Sequence, residues 1–263
     1  MAGTVFVSGG SGYIAGWLIR NLAAQGWTVH TSVRDIAREV ELRKLLAVDG
    51  AQLRVFAADL MHDTGWSEAL RGCSHVAHVA SPLPGRWVKT PNDLIVPARE
   101  GALRVLRAAR DWVAREGQGL EFCSANPSVV LGPVWGPDHS SSIALVKKLL
   151  AGGMPGCPDL GFGIVDVRDV ADLHLRLLTA PGMAGERFIA SGPFMKVIDI
   201  ARVLRQQLAA RRIGAALRQV QVGDHQHVAQ HQGAAGPEHH LRARHLRHQR
   251  PAVARTHLRQ PDP

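Results

Sequence analysis

A single tyrosine, Tyr13, stands in this chain of 263 residues. Any chemistry that needs a second phenol is therefore outside its reach. The three cysteines, Cys73, Cys123 and Cys157, are odd in number and widely spaced. That pattern argues against a disulfide framework or a zinc site and for reduced, buried thiols. No apolar run approaches the length of a membrane span, and the first is broken at Gly9-Gly10 with no basic segment before it. A soluble cytoplasmic protein without membrane contact is the expectation. No aromatic residue follows Phe194 and no lysine follows Lys196. The net charge of +9 is uneven: residues 1–210 carry 22 basic against 19 acidic side chains, and residues 211–263 carry 9 against 3. The body is nearly neutral, which speaks against a nucleic-acid-binding surface there.

What is present is a regular alternation. Thr4–Ser8 reads as a β-rich run that stops at Gly9-Gly10. Ile14, Leu18 and Leu22 then recur at helical spacing up to Gln25-Gly26. Further strands are expected at Trp27–Val33, Gln52–Ala57 and Ser74–Ala80, with helices over 36–48 and 65–71 between them. Strands and helices joined by short connections indicate parallel βαβ units, hence an α/β, doubly wound sheet. One helical pattern runs unbroken from Asp93 to about Glu116. Leu120–Leu131 reads as a strand and loop, 142–151 as a helix, Gly163–Val167 as a strand and 169–179 as a helix. A strand at Glu186–Ala190 and a helix at Val197–Ala210 complete the pattern.

Gly9-Gly10-Ser11-Gly12-Tyr13-Ile14-Ala15 lies between the first strand and the first helix. In that context Gly9 permits a tight turn, Gly12 lets backbone approach a pyrophosphate, and Ala15 keeps the helix close to the strand. The free N–H groups of the helix N-terminus would hold the phosphates. The alternative is a structural strand–turn–helix without a ligand. Arg34 ends the second strand, where a guanidinium can pair with a ribose 2′-phosphate and an acid would instead bond the hydroxyl. Pairing with Asp35 is its other possible use. The residues favour NADP over NAD.

The Gly-x-x-Gly-x-x-Ala spacing, with VFVSGGSGYIAG, HTSVRD, FAADL, HVASP, IVPAREGALRVLRAAR, NPSVVLGP, GGMPGCPDLGFGIVDVRDVADLHL and GERFIA, resembles the extended short-chain dehydrogenase/reductase superfamily. Within it, the NAD-dependent epimerase/dehydratase group and bacterial dihydroflavonol-4-reductase-like proteins are the most similar. The matching segments span most of residues 1–205. The resemblance implies a Rossmann-type sheet, NADP as cofactor, and a small hydrophobic carbonyl or alcohol substrate. It also implies that Tyr13 and Ile14 belong to the phosphate loop. Asp59 and Leu60 would flank the adenine, Val79, Ala80 and Ser81 the nicotinamide ribose, and Pro127 and Val129 the nicotinamide. A homodimer is left open.

The same resemblance exposes a loss. The superfamily reduces carbonyls with Tyr-x-x-x-Lys, in which the ammonium lowers the pKa of a phenol one helical turn away. Here Tyr13 is followed four positions later by Trp17, and no other tyrosine exists. Asp111 runs directly into Trp112, where the family carries a strand, a serine and the dyad helix; roughly fifty to sixty residues are missing from the usual βαβ layout. No catalytic residue is assigned. Residues 120–126 could slide into the vacated strand position.

The remaining candidates have plainer readings. Asp166, Arg168 and Asp169 are expected to pair with one another and cap the following helix. His75 and His78 sit three apart in a strand, on opposite faces, and make a poor metal pair. Asp138, His139 and Ser140 read as a surface loop. The expected organisation is a truncated dinucleotide-binding domain over 1–131 and a remnant substrate lobe over 132–210. A low-complexity tail over 211–263, holding 8 of the 14 histidines, reads as disorder or a shifted reading frame. Metal or nucleic-acid binding by that tail is the weaker reading. The competing functions are an impaired NADP-dependent oxidoreductase, a non-catalytic NADP-binding or sensing module, and a truncated gene product without a role.

Overall fold

The computed structural model describes residues 2–82, 88–115, 119–135, 140–154 and 156–210, together with the backbone of 253–255. The tail expectation lies almost wholly outside the described residues, as do Asp138 and His139.

The first half is built on four parallel strands, β1 (Thr4–Val7), β2 (Thr28–Val33), β3 (Leu53–Ala57) and β4 (His75–Ala77), in the order β3-β2-β1-β4. Between them run α1 (Tyr13–Ala24), a 3-10 turn at Ile36–Arg38 with α2 (Glu39–Leu46), and α3 (Trp66–Leu70). β1 reads as a continuous apolar run because both its faces are covered. Val5 and Val7 enter a core with Leu18, Ile19 and Leu22 of α1, and Phe6 enters the opposite one with Trp66 and Leu70 of α3. All three β1 residues are fully buried. The chain leaves β1 toward β2 and β3, then returns to place β4 on the other side. This reversal opens a crevice at the carboxyl ends of β1 and β4.

The expected long helix is present as α4 (Asn92–Arg115), continuous through Pro97. Its Val105 and Ala109 pack on Phe6 and Leu70. At the Asp111–Trp112 join, the Trp112 indole donates to the carbonyl of Cys73, 3.1 Å away. The join is thus tied to the loop that leads into β4.

Beyond α4 the single strand and loop expected over 120–131 is two short strands, β5 (Ser124–Pro127) and β6 (Val129–Leu131), in different sheets. β5 runs parallel to β8 (Arg187–Ala190) rather than beside β4, so residues 120–126 do not slide into the vacant place. Among the described residues the four-stranded sheet ends at β4. β6 pairs parallel with β7 (Gly161–Asp166), which starts two residues before the expected strand, and β7 pairs antiparallel with β9 (Phe194–Lys196). α5 (Ser141–Leu150), α6 (Val167–Thr179) and α7 (Val197–Ala210) complete the body. α6 packs Ala171 and Leu175 on the first core and Val170 and Leu173 on Val130 and Phe188, holding the two halves together. Leu149, Val197 and Ile200 form a smaller core between α5 and α7. β10 (Val253–Arg255) pairs antiparallel with β8.

Candidate functional site

Where β1 ends, four backbone links fix a loop. Ser8 N–H donates to Ala77 O at 3.1 Å, Gly9 N–H to Ser32 Oγ at 2.9 Å, Gly10 N–H to Ser32 O at 2.9 Å, and Gly12 N–H to Gly9 O at 2.8 Å. Gly9 has φ of +68°, and a Cβ on it would lie 2.8 Å from the Cβ of Ala80. A Cβ on Gly12 would lie 3.0 Å from Gly9 O. Both positions therefore exclude a side chain, because the loop packs on the turn after β4 and on its own backbone. Gly12 stands at the N-cap of α1 with no side-chain hydrogen bond, and the first turn carries no acidic residue. The leading N–H groups of Tyr13, Ile14 and Ala15 have no side-chain cap among the described residues, and the helix start carries a partial positive charge suited to an anion.

The second face of the crevice follows β4. Ser8 Oγ accepts from Val79 N–H and from Ala80 N–H, each at 3.0 Å, and lies 2.9 Å from His78 Nδ1. Because the peptides among the described residues are trans, the carbonyls of His78 and Val79 point away from Ser8. Ser81 is exposed. Ser8 and Ser32 were not singled out in the sequence, and His78 was weighed only as half of a poor metal pair; polar residues closing otherwise apolar strands were the available signal.

Arg34 is exposed directly after β2 and makes no hydrogen bond or ion pair among the described residues. Asp35 does not pair with it: its Oδ1 accepts from Ala37 N–H at 3.0 Å and caps the 3-10 turn. Asp59 is half-buried after β3 and occupied by its own turn, accepting from Met61 N–H at 3.0 Å. Leu60 points into the core against Gly101, so its backbone alone is left for a ligand. Pro127 pairs with Ala190 on β5 and Val129 with Ile164 on β6, in strands apart from the sheet that carries the glycine loop.

Tyr13 does not resemble a proton donor. Its hydroxyl is buried without a hydrogen-bond partner among the described residues. Burial first, then the nearby Asp166 carboxylate, pushes the phenol up to about 12. Asp166 caps α6 as expected: Oδ1 accepts from Arg168 N–H at 2.8 Å, and Oδ2 pairs with Arg168 Nη2 at 2.7 Å. That guanidinium holds the carboxyl below its usual range. Ser140 likewise caps α5 through Ile143 N–H. His75 closes on Ser74 Oγ at 2.9 Å, and no cluster of three metal-ligating side chains occurs among the described residues.

A model of the NAD dependent epimerase/dehydratase family matches residues 5–114. The dihydroflavonol 4-reductase of Zea mays is 36% identical over 267 positions, covering 78% of this chain and 74% of that one. The chain belongs to this family. Its family place is the extended short-chain dehydrogenase/reductase type, among dihydroflavonol-reductase-like proteins. Cinnamoyl-CoA reductase of Medicago truncatula is 27% identical, with 78% of this chain and 81% of that one covered. The fold is shared with yeast methylglyoxal/isovaleraldehyde reductase, solved with NADPH, at a TM-score of 0.67 and 19% identity over 84% of this chain and 85% of that one. The family match stops three residues past Asp111. Moreover, 78% of 263 residues is about 205, so about 62 of the 267 positions aligned with the maize protein face no residue of this chain.

No helix among the described residues is long and apolar enough to cross a membrane.

Proposed function

We propose that this member of an NAD(P)-dependent reductase family binds NADP(H) in the crevice between β1 and β4 and has lost the acid that carbonyl reduction requires. One observation carries the binding half: the uncapped N-terminus of α1 sits in a glycine cradle at the point where the strand order reverses. The pyrophosphate would lie on the N–H groups after Gly12, and Arg34, unpaired at the end of β2, would take the 2′-phosphate. The carbonyls of His78 and Val79 would accept from the ribose hydroxyls on the nicotinamide side. Bound there, the cofactor would supply a hydride for a small hydrophobic carbonyl compound, a step that also needs a proton for the carbonyl oxygen.

The chemical half rests on the residues themselves. The sole phenol is buried, raised to about 12 and followed at the fourth position by Trp17 rather than a lysine. A positioned general acid contributes about 10²–10⁴-fold, and the sequence holds no Tyr-x-x-x-Lys to supply it. The roughly 60 unmatched positions support a missing βα unit between Asp111 and Trp112. Residues 1–131 would form the binding half and 132–210 the remnant substrate lobe. A non-catalytic, cofactor-sensing role is the second reading, favoured by a cradle that remains while the dyad is gone. The three free cysteines suit a reducing cytoplasm.

Calorimetric titration of the full chain with NADPH and with NADH tests the proposal. Saturable binding that prefers NADPH, with no turnover of aldehydes or ketones, is expected. Folded protein that binds neither would overturn it.

A further inference from the structure

The hydroxyl of Ser8 is fully buried and holds the turn after β4 by accepting two backbone N–H groups, from Val79 and Ala80, both at 3.0 Å. A hydroxyl has two lone pairs and one proton. With both lone pairs engaged, the proton has one place left to go: His78 Nδ1, at 2.9 Å. The imidazole must then accept at Nδ1 and carry its own proton on Nε2. A doubly protonated ring would bring a second donor against an oxygen that has no lone pair to spare. Ser8 would have to release Val79 or Ala80 to receive it.

We propose that His78 is a positioning residue for the cofactor: its neutral, Nε2-protonated form locks Ser8, and through Ser8 the backbone acceptors of the Val79–Ala80 turn. The inference rests on the cofactor reading above and adds a residue and a protonation state to it. Burial of the ring disfavours its charged form in the same direction.

The surroundings leave His78 as the group that titrates at this joint. β1, the strand that pairs with β4, has no titratable side chain. On β4 itself His75 is bonded to Ser74 Oγ. From α6, which contacts β4, His174 Nδ1 is bonded to Val170 O at 2.7 Å, Asp166 and Arg176 are tied to Arg168 and Asp172, and Asp169 lies in the first turn. From α4 in the opposite layer come the pairs Arg99–Glu100, Arg104–Asp63 and Arg110–Asp111, with Asp93 at one end and Arg107 and Arg115 along its length. None of these is a cause of the His78 shift, whose origin is burial.

The test is NADPH binding by calorimetry from pH 8 to pH 5.5 for the wild-type chain and for His78→Gln, whose amide oxygen accepts from Ser8 without titrating. The 2′-phosphate also titrates in this window, so the variant supplies the reference slope. Across the pH at which imidazole ¹⁵N shifts show the wild-type ring taking up its proton, wild-type affinity should fall about tenfold more than that of His78→Gln, the worth of one lost buried hydrogen bond. Equal slopes overturn the positioning role while leaving cofactor binding intact. Absence of NADPH binding at pH 8 overturns both readings together. Should the variant fail to fold, imidazole ¹⁵N shifts of the wild-type chain decide: an unprotonated Nδ1 at pH 7 is expected, and a protonated Nδ1 overturns the proposal.

Discussion

The Cβ that Gly9 lacks would stand 2.8 Å from the Cβ of Ala80. The loop that follows β1 and the turn that follows β4 are therefore in contact at the one place where the sheet order reverses. Adding a methyl group at Gly9 meets two obstacles, the clash and a φ of +68°. Gly9→Ala should cost about 1–3 kcal/mol of stability and abolish cofactor binding. Urea denaturation gives the first quantity and calorimetry the second. A variant as stable as the parent that still binds NADPH would show that the cradle is wider than the structure has it.

Arg34 and the 2′-phosphate make a sharper test of specificity. The guanidinium has no partner to lose among the described residues, so its removal should leave folding unchanged. A charge-assisted contact is worth about 1.5–3 kcal/mol, so Arg34→Ala should weaken NADPH about 10- to 100-fold and leave NADH unaffected. Parallel loss of both ligands would place the effect on the fold rather than on the phosphate.

Much of the fold was legible because its signals are local. The apolar run of β1, the 3.6-residue period of α1 and the Asp166 cap of α6 each sit within a few residues. The partition of 120–131 was not legible. Strand partners there are set by β7 and β8, some 35 to 65 residues away, and no local pattern distinguishes them. At the site, the glycine loop and Arg34 could be read directly. The Ser8–His78 pair could not, since its two members are 70 residues apart and meet through strand register alone. Leu60, which the family resemblance places beside the adenine, has its side chain packed under α4, a burial that its neighbours in sequence do not signal.

Acid should weaken the fold before any carboxylate titrates. His30 is 4% exposed, with Nδ1 2.8 Å from Ala69 O, and burial holds its pKa below the ordinary value, as it does for His75, His78 and His174. In each case the unfolded chain takes up a proton near pH 6.5 that the folded chain refuses. Stability is thus complete above about pH 6.5 and is lost as pH falls below it toward the depressed folded values. The Asp166–Arg168 pair lowers a carboxyl instead, so its contribution fades only near pH 4 and below. The urea midpoint should drop between pH 7 and pH 5, and a flat profile over that interval would contradict the burial of these rings.

The last prediction concerns the join at Asp111 and Trp112. β4 pairs with β1 and β5 with β8, yet α6 packs against both strands, so the edges flanking the missing unit are held by one helix. A parallel strand can enter such a sheet only with its crossover helix. Restoring the spacing alone should therefore fail: Trp17→Lys recreates Tyr-x-x-x-Lys on α1, where the phenol is buried beside Asp166. Inserting the corresponding segment of about 60 residues from the maize reductase between Asp111 and Trp112 should instead supply the strand, serine and dyad that the family resemblance implies for that place. The chimera should oxidise NADPH with an aldehyde or ketone at least 10²-fold faster than the parent, the lower bound for a positioned general acid. If it folds, binds NADPH and stays inactive, the proposal that a missing dyad limits this chain is overturned.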